Sequence, residues 1–202
     1  MSPDTERADA IAEEDRMRAR IYALLARLLV APPDAATLAA LQRLGDDNSD
    51  FGRALGALNA AARETTPAAV TEEYEALFIG LTQGELLPYA SYYLAGFLHE
   101  RPLARLRGDM ALLGIARREE VSDPEDHIGA LCEMMAGLVT GAFGRPADLA
   151  TQQRFFDTHL GCWAPRFFDD LAVAPSANFY RPLGTLGRLF MSIEAQAFEM
   201  AA

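Results

Sequence analysis

"SDPEDHIGALCEMMAGLVTGAFG", residues 122–144, is the stretch that decides the class of fold. Ile128, Leu131, Met135, Leu138 and Val139 recur at three- and four-residue spacing, as on a helix with one buried face. Ser122 or Asp123 is placed to cap that helix, and Pro124 suits its first turn. The acids Asp123, Glu125 and Asp126 stand where a helix N-terminus favours negative charge.

The same period runs outward in both directions. Ile21, Leu24, Leu25, Leu28 and Leu29 repeat at helical spacing, and "APPD" then stops that helix. Asp34 can cap the next, and "GDDNSD" is a turn cluster. Phe51, Leu55 and Leu58 share a face, and Thr66 before Pro67 reads as a cap followed by proline at the first helical position. Val70, Tyr74, Leu77 and Phe78 line up after it. Pro102 opens another helix, two more surround Gly161, and a last one closes the chain despite Pro182 near its start. Strand-like alternation is nearly absent. The expectation is an all-α fold, a single globular helical domain of eight to ten helices over residues 1–202, with a flexible acidic N-terminus at about 1–10.

The bulk numbers exclude several classes. The 202 residues carry a formal net charge of −11, and all 18 basic residues are arginine. That balance argues against nucleic acid as a partner, because such binding neutralises phosphates with cationic side chains. No apolar run reaches the roughly 18 residues a membrane helix needs, so stable membrane insertion is not expected. The N-terminus is acidic where a secretory signal starts basic, which points to the cytoplasm. Cys132 and Cys162 match no metal-ligand spacing, and His99, His127 and His159 stand apart from one another. No phosphate loop, dinucleotide fingerprint or nucleophile elbow occurs. We expect no catalytic residue, no metal and no cofactor.

Two segments stand out. "LLPYASYYLAGFL", residues 86–98, has no charged residue and holds Tyr89, Tyr92, Tyr93 and Phe97. It reads either as core aromatics or as a surface that grips a peptide, since tyrosine offers a large apolar body with a polar tip. "DPEDHI", residues 123–128, reads either as a well-charged helix start or as an acidic rim to a ligand, made by Asp123, Glu125, Asp126 and His127.

The order "EYEALFIGL", "PYASYY", "DPEDHIGALCEMM", "HLGCWAPRFFDDL" resembles the redox-enzyme maturation chaperones of the TorD/DmsD/NarJ type. The matching positions are Tyr74, Leu77 and Phe78; Pro88, Tyr89, Ser91 and Tyr93; Pro124, Asp126 and His127; and His159, Leu160 and Trp163. Asp123 departs from the usual glutamate, keeping the charge with a shorter reach. The resemblance covers most of the chain, from about residue 20 to 200.

It implies a cytoplasmic, non-enzymatic chaperone, monomeric or homodimeric. Such a protein binds the twin-arginine signal peptide of a molybdopterin-dependent oxidoreductase and holds back export until the cofactor is inserted. The runs "PYASYYLAGFLHERPLARLRGDMALLGIAR" and "PEDHIGALCEMMAGL" look most like members associated with formate dehydrogenase. The positions it points to for peptide binding are Tyr74, Leu77, Phe78, Pro88, Tyr89, Ser91, Tyr93, Asp123, Glu125, Asp126 and His127. Tyr89 and Tyr93 are the expected contacts within their run, its other residues packing inward, and Asp126 and His127 are expected to be accessible. The alternatives are a nucleotide-binding or hydrolysing enzyme and a helical scaffold subunit of an oxidoreductase complex.

Overall fold

The computed structural model describes residues 12–45, 47–117 and 123–201. The expected flexible N-terminus and the candidate cap Ser122 lie outside them. Ten α-helices occur among the described residues: α1 (Glu13–Val30), α2 (Ala35–Leu41), α3 (Asp50–Glu64), α4 (Pro67–Tyr74), α5 (Ala90–Ala95), α6 (Arg101–Leu113), α7 (Ile128–Thr140), α8 (Leu149–Phe156), α9 (Ala164–Val173) and α10 (Tyr180–Ala201). A π-helical turn extends α4 over Glu75–Ile79, and another extends α8 over Asp157–Gly161. No strand occurs among the described residues.

Local chemistry explains most of the helix starts. Asp34 accepts from Thr37 N at 2.8 Å, and Thr66 caps α4 through Ala69 N with Pro67 in the first turn. Pro182 is tolerated because it sits in the first turn of α10, where backbone N–H groups have no intrahelical partner. Those N–H groups find a distant acceptor instead. The Glu73 carboxylate takes hydrogen bonds from the backbone N–H of Asn178, Phe179 and Tyr180 at 2.8, 3.0 and 2.8 Å.

α7 is largely buried. Its Ile128, Leu131, Cys132 and Met135 are fully buried, each apolar side chain contributing about 1.5–3 kcal/mol of burial. α1 packs along α7, while α10 lies against α9 and α3. Small residues set the α9–α10 distance. A Cβ on Gly184 would stand 2.6 Å from the backbone nitrogen of Ala172, and one on Gly187 would collide with the Phe168 ring.

One charged group is set deep between α1 and α10. Glu194, 1% exposed, receives Arg18 Nε at 2.8 Å, Arg18 Nη2 at 2.9 Å and the Tyr22 hydroxyl at 2.9 Å. Arg18 also reaches Asp15 at 2.6 Å and Gln152 at 3.2 Å. A buried charge is tolerable only when paired and hydrogen-bonded, and here both conditions are met.

The start of α7 differs from the sequence expectation. The helix begins at Ile128, not near Pro124, and His127 is its N-cap, with Nδ1 accepting from Gly129 N at 3.1 Å. Asp123–Asp126 form a turn ahead of it. The reason is competition for backbone groups, since the Asp126 carbonyl and the Ile128 N–H both bond to another segment.

Candidate functional site

That other segment is "PYAS". Ala90 N donates to the Asp126 carbonyl at 3.0 Å, and Ile128 N donates to the Pro88 carbonyl at 2.8 Å. The two motifs thus form a short antiparallel bridge centred on Tyr89 and His127. The Asp126 carboxylate then accepts from Ser91 N at 2.7 Å, serving as a cap for the short helix α5 from outside it. Its other oxygen and the Ser91 hydroxyl are buried without a hydrogen-bond partner. The Tyr89 ring meets the His127 ring edge-on at 5.2 Å.

This corrects the expected accessibility of Asp126 and His127. They are 1% and 6% exposed, and their contacts hold two segments of the fold together. Burial pushes the His127 imidazole down to about 4, against the opposing pull of Asp123 and Asp126. Its Nδ1 accepts a hydrogen bond, so the neutral ring is assigned its proton on Nε2. Burial, with Asp123 nearby, raises the Tyr89 hydroxyl to about 12.

Beside the bridge lies a groove of about 680 Å³ between α1, α7 and the end of α6. Ala23, Ala26 and Val30 of α1 face Met134 and Gly137 of α7, and Met110, Ile115 and Phe143 complete the apolar surface. Asp123, Glu125 and Glu133 stand around it, interleaved with Arg27 and Arg117. Glu125 is already engaged. Arg107 holds it side-on, with Nη2 at 2.9 Å and Nε at 3.1 Å from Oε2, and Arg117 stands 3.6 Å from Oε1. Burial pushes the Glu125 carboxyl up, but the two arginines outweigh it and hold the group below its usual range.

The residues expected to bind peptide therefore divide. Asp123, Glu125 and His127 line the groove. Tyr74 and Leu77 are in the core, the Tyr74 hydroxyl donating to the Leu29 and Val30 carbonyls at the end of α1. Phe78 packs edge-on against Tyr74 and Tyr180 at 5.0 and 5.5 Å. Pro88, Ser91 and Asp126 are buried at the bridge. Tyr93 belongs to a second cleft of about 420 Å³, donating to Asp170 at 2.9 Å beside Arg166.

The expectation that the rest of the aromatic run packs inward holds for Pro88, Ala90 and Ser91 and fails for its large apolar residues. Tyr92, Leu94, Phe97 and Leu98 point outward, Phe97 being 72% exposed, while Ala90 and Ser91 are buried. A helix of six residues ended by left-handed Gly96 cannot bury its whole circumference. Sequence reasoning also missed the α1 wall of the groove. Its signal was the row of small residues Ala23 and Ala26 leading to Val30, on the same side of an otherwise leucine-rich helix.

Among the described residues no group of three or more histidine, cysteine, aspartate or glutamate side chains could hold a metal ion. No helix there is long and apolar enough to cross a membrane.

Known proteins resemble this chain in sequence and in fold. A family model described as the nitrate reductase delta subunit matches residues 44–169. The chaperone protein TorD of Salmonella bongori is 31% identical over 168 residues, covering 81% of this chain and 74% of that one. TorD of Photobacterium profundum is 28% identical, covering 66% of this chain and 65% of its own length. The Tat proofreading chaperone DmsD of Salmonella typhi is 29% identical, covering 69% and 67%. The crystal structure of a candidate redox enzyme maturation protein from Archaeoglobus fulgidus superposes with a TM-score of 0.59 at 20% identity, covering 87% of this chain and 94% of that one, which shows a shared fold. With the family model spanning residues 44–169 and the Salmonella bongori TorD aligned over 168 residues, the chain belongs to the TorD/DmsD family of chaperones.

Proposed function

We propose that this protein binds the twin-arginine signal peptide of a molybdopterin-dependent oxidoreductase precursor and holds it in the cytoplasm during cofactor insertion. The observation that carries the reading is the groove of about 680 Å³, an apolar channel with carboxylates at its edge. A twin-arginine leader has a cationic start and a moderately apolar stretch, and that surface complements both. The membership of the TorD/DmsD family supports the same reading. Within it we propose a formate dehydrogenase as client, on the resemblance of residues 88–117 and 124–138. Sulfoxide, amine oxide and oxyanion reductases are the competing clients.

Isothermal titration with synthetic leaders tests this. A leader from a molybdopterin enzyme is expected to bind, and replacing its apolar stretch with serines is expected to weaken it by tenfold or more, as truncating the buried centre of an interface does. Ala23→Arg, which places a long cation on the exposed α1 wall, is expected to abolish binding with the fold intact by circular dichroism. Equal binding of the serine leader, or an unaffected Ala23→Arg protein, would show that the groove is not the site. A panel of leaders from the competing client classes then tests the formate dehydrogenase assignment, which fails if another leader binds tighter.

A further inference from the structure

The groove is lined by three carboxylates, Asp123, Glu125 and Glu133, and by Arg27 and Arg117. Glu125 is held by Arg117 and, from just outside the groove, by Arg107, while Arg27 stands 3.6 Å from Asp34. Glu125 lines the groove from a buried position, 8% exposed, where a carboxylate needs a cation beside it. Yet Arg107 already makes a two-point contact with it, Nη2 donating to Oε2 at 2.9 Å and Nε to Oε1 at 3.2 Å. A third guanidinium added beside Arg107 and Arg117 would meet two like charges around a single negative one. Electrostatics therefore favour replacement over addition.

The exposure of the two partners says which can leave. The Arg107 side chain is 51% exposed and the Glu125 side chain 9%. Arg107 can swing into water with little desolvation cost, while Glu125 stays behind and needs another cation.

We propose that Glu125 is a guanidinium-binding position of the groove, occupied by the chain's own Arg107 until an arginine of the bound peptide takes its place. Arg107 is then an internal competitor that sets how much a client arginine contributes. This rests on the leader-binding reading for its biological ligand, but the exchange at Glu125 can be measured apart from it.

The first measurement titrates a twin-arginine leader into the wild type, Arg107→Gln and the double variant Arg107→Gln with Glu125→Gln, at low and high salt. Arg107→Gln is expected to bind about two- to fivefold tighter at low salt, the factor that a half-exposed ion pair is worth. It is also expected to lose affinity more steeply with salt, because the freed charge is screened. The gain should vanish in the double variant and with a leader whose arginines are replaced by glutamine. Equal or weaker binding by Arg107→Gln, or a gain that survives the loss of Glu125, overturns the proposal.

The second measurement uses an acetylated, amidated arginine dipeptide, which lacks any apolar stretch, and follows the Arg107 side-chain Nε–H by nuclear magnetic resonance. The dipeptide is expected to shift that resonance to its unbonded position in the wild type and to bind Glu125→Gln less tightly. No displacement by the dipeptide overturns the exchange even if leaders bind. Displacement without any leader binding leaves the exchange standing and overturns the leader reading alone.

Discussion

Two arginine–glutamate pairs in this molecule share their chemistry and differ in their surroundings. Arg18 and Glu194 join α1 to α10, with side chains 18% and 1% exposed and a tyrosine hydroxyl as a further donor. Arg107 and Glu125 join α6 to the turn before α7, with the arginine open to water. The first pair cannot be opened without stranding a charge in the core. The second can exchange its arginine at small cost. The same two residue types thus serve as a fastening in one place and as an exchangeable contact in the other, and burial of the arginine decides which.

Breaking the buried pair should have the largest effect. Glu194→Ala leaves Nε and Nη2 of Arg18 and the Tyr22 hydroxyl without their acceptor, Asp15 and Gln152 still holding Nη1, and a loss of about 3 kcal/mol is expected, the lower end for one-sided removal of buried ion pairs. Urea unfolding measures it. A loss under about 1 kcal/mol would mean that the two pairs do not differ in kind.

An intermediate effect is expected from pH at His127, which sits in the turn that presents Glu125. Its folded value near 4 lies below its ordinary 6.5. Between those values the unfolded chain binds a proton that the folded chain refuses, so stability is full above about 6.5, falls as pH drops and levels off below about 4. The loss is on the order of 3 kcal/mol. Burial lowers His159 too, against its 2.7 Å contact with Asp109, so the comparison must be with His127→Asn, which retains a capping oxygen and no titration. Melting temperatures from pH 7 to pH 4 should fall less steeply for that variant. Parallel curves would remove His127 as the cause.

The smallest effect on stability is expected at the open pair. Arg107→Gln should cost under about 1 kcal/mol, since the arginine head is half exposed and Arg117 remains beside Glu125. A cost near that of Glu194→Ala would show that Arg107 is structural and could not leave for a peptide.

Much of the fold was legible because helices are local. The stripe from Ile128 to Val139, the Asp34 cap and the Thr66–Pro67 start all depend on residues within a few positions of one another. The site was legible only in part. The two motifs do come together, but "PYAS" and "DPEDHI" meet through backbone hydrogen bonds that no side-chain pattern announces. That pairing buried Asp126 and His127 and delayed the start of α7. The exposed face of α5 was hidden for a related reason, because an uncharged run does not say which of its residues a short helix turns outward.

The sequence by itself determined that this chain is helical, acidic and free of any recognised catalytic or metal-binding motif, and the order of its motifs pointed to a chaperone family. Those properties follow from composition, period and residue order. Only the tertiary structure decided which carboxylates are available. Glu73 caps a helix that starts 107 residues later, Glu194 neutralises an arginine 176 residues earlier, Asp126 holds a backbone N–H 35 residues back, and Glu125 answers an arginine on another helix. A charge seen in a sequence is only a capacity for pairing. Folding chooses the partner, because the desolvation of each carboxylate and the reach of each donor are set by how the helices pack.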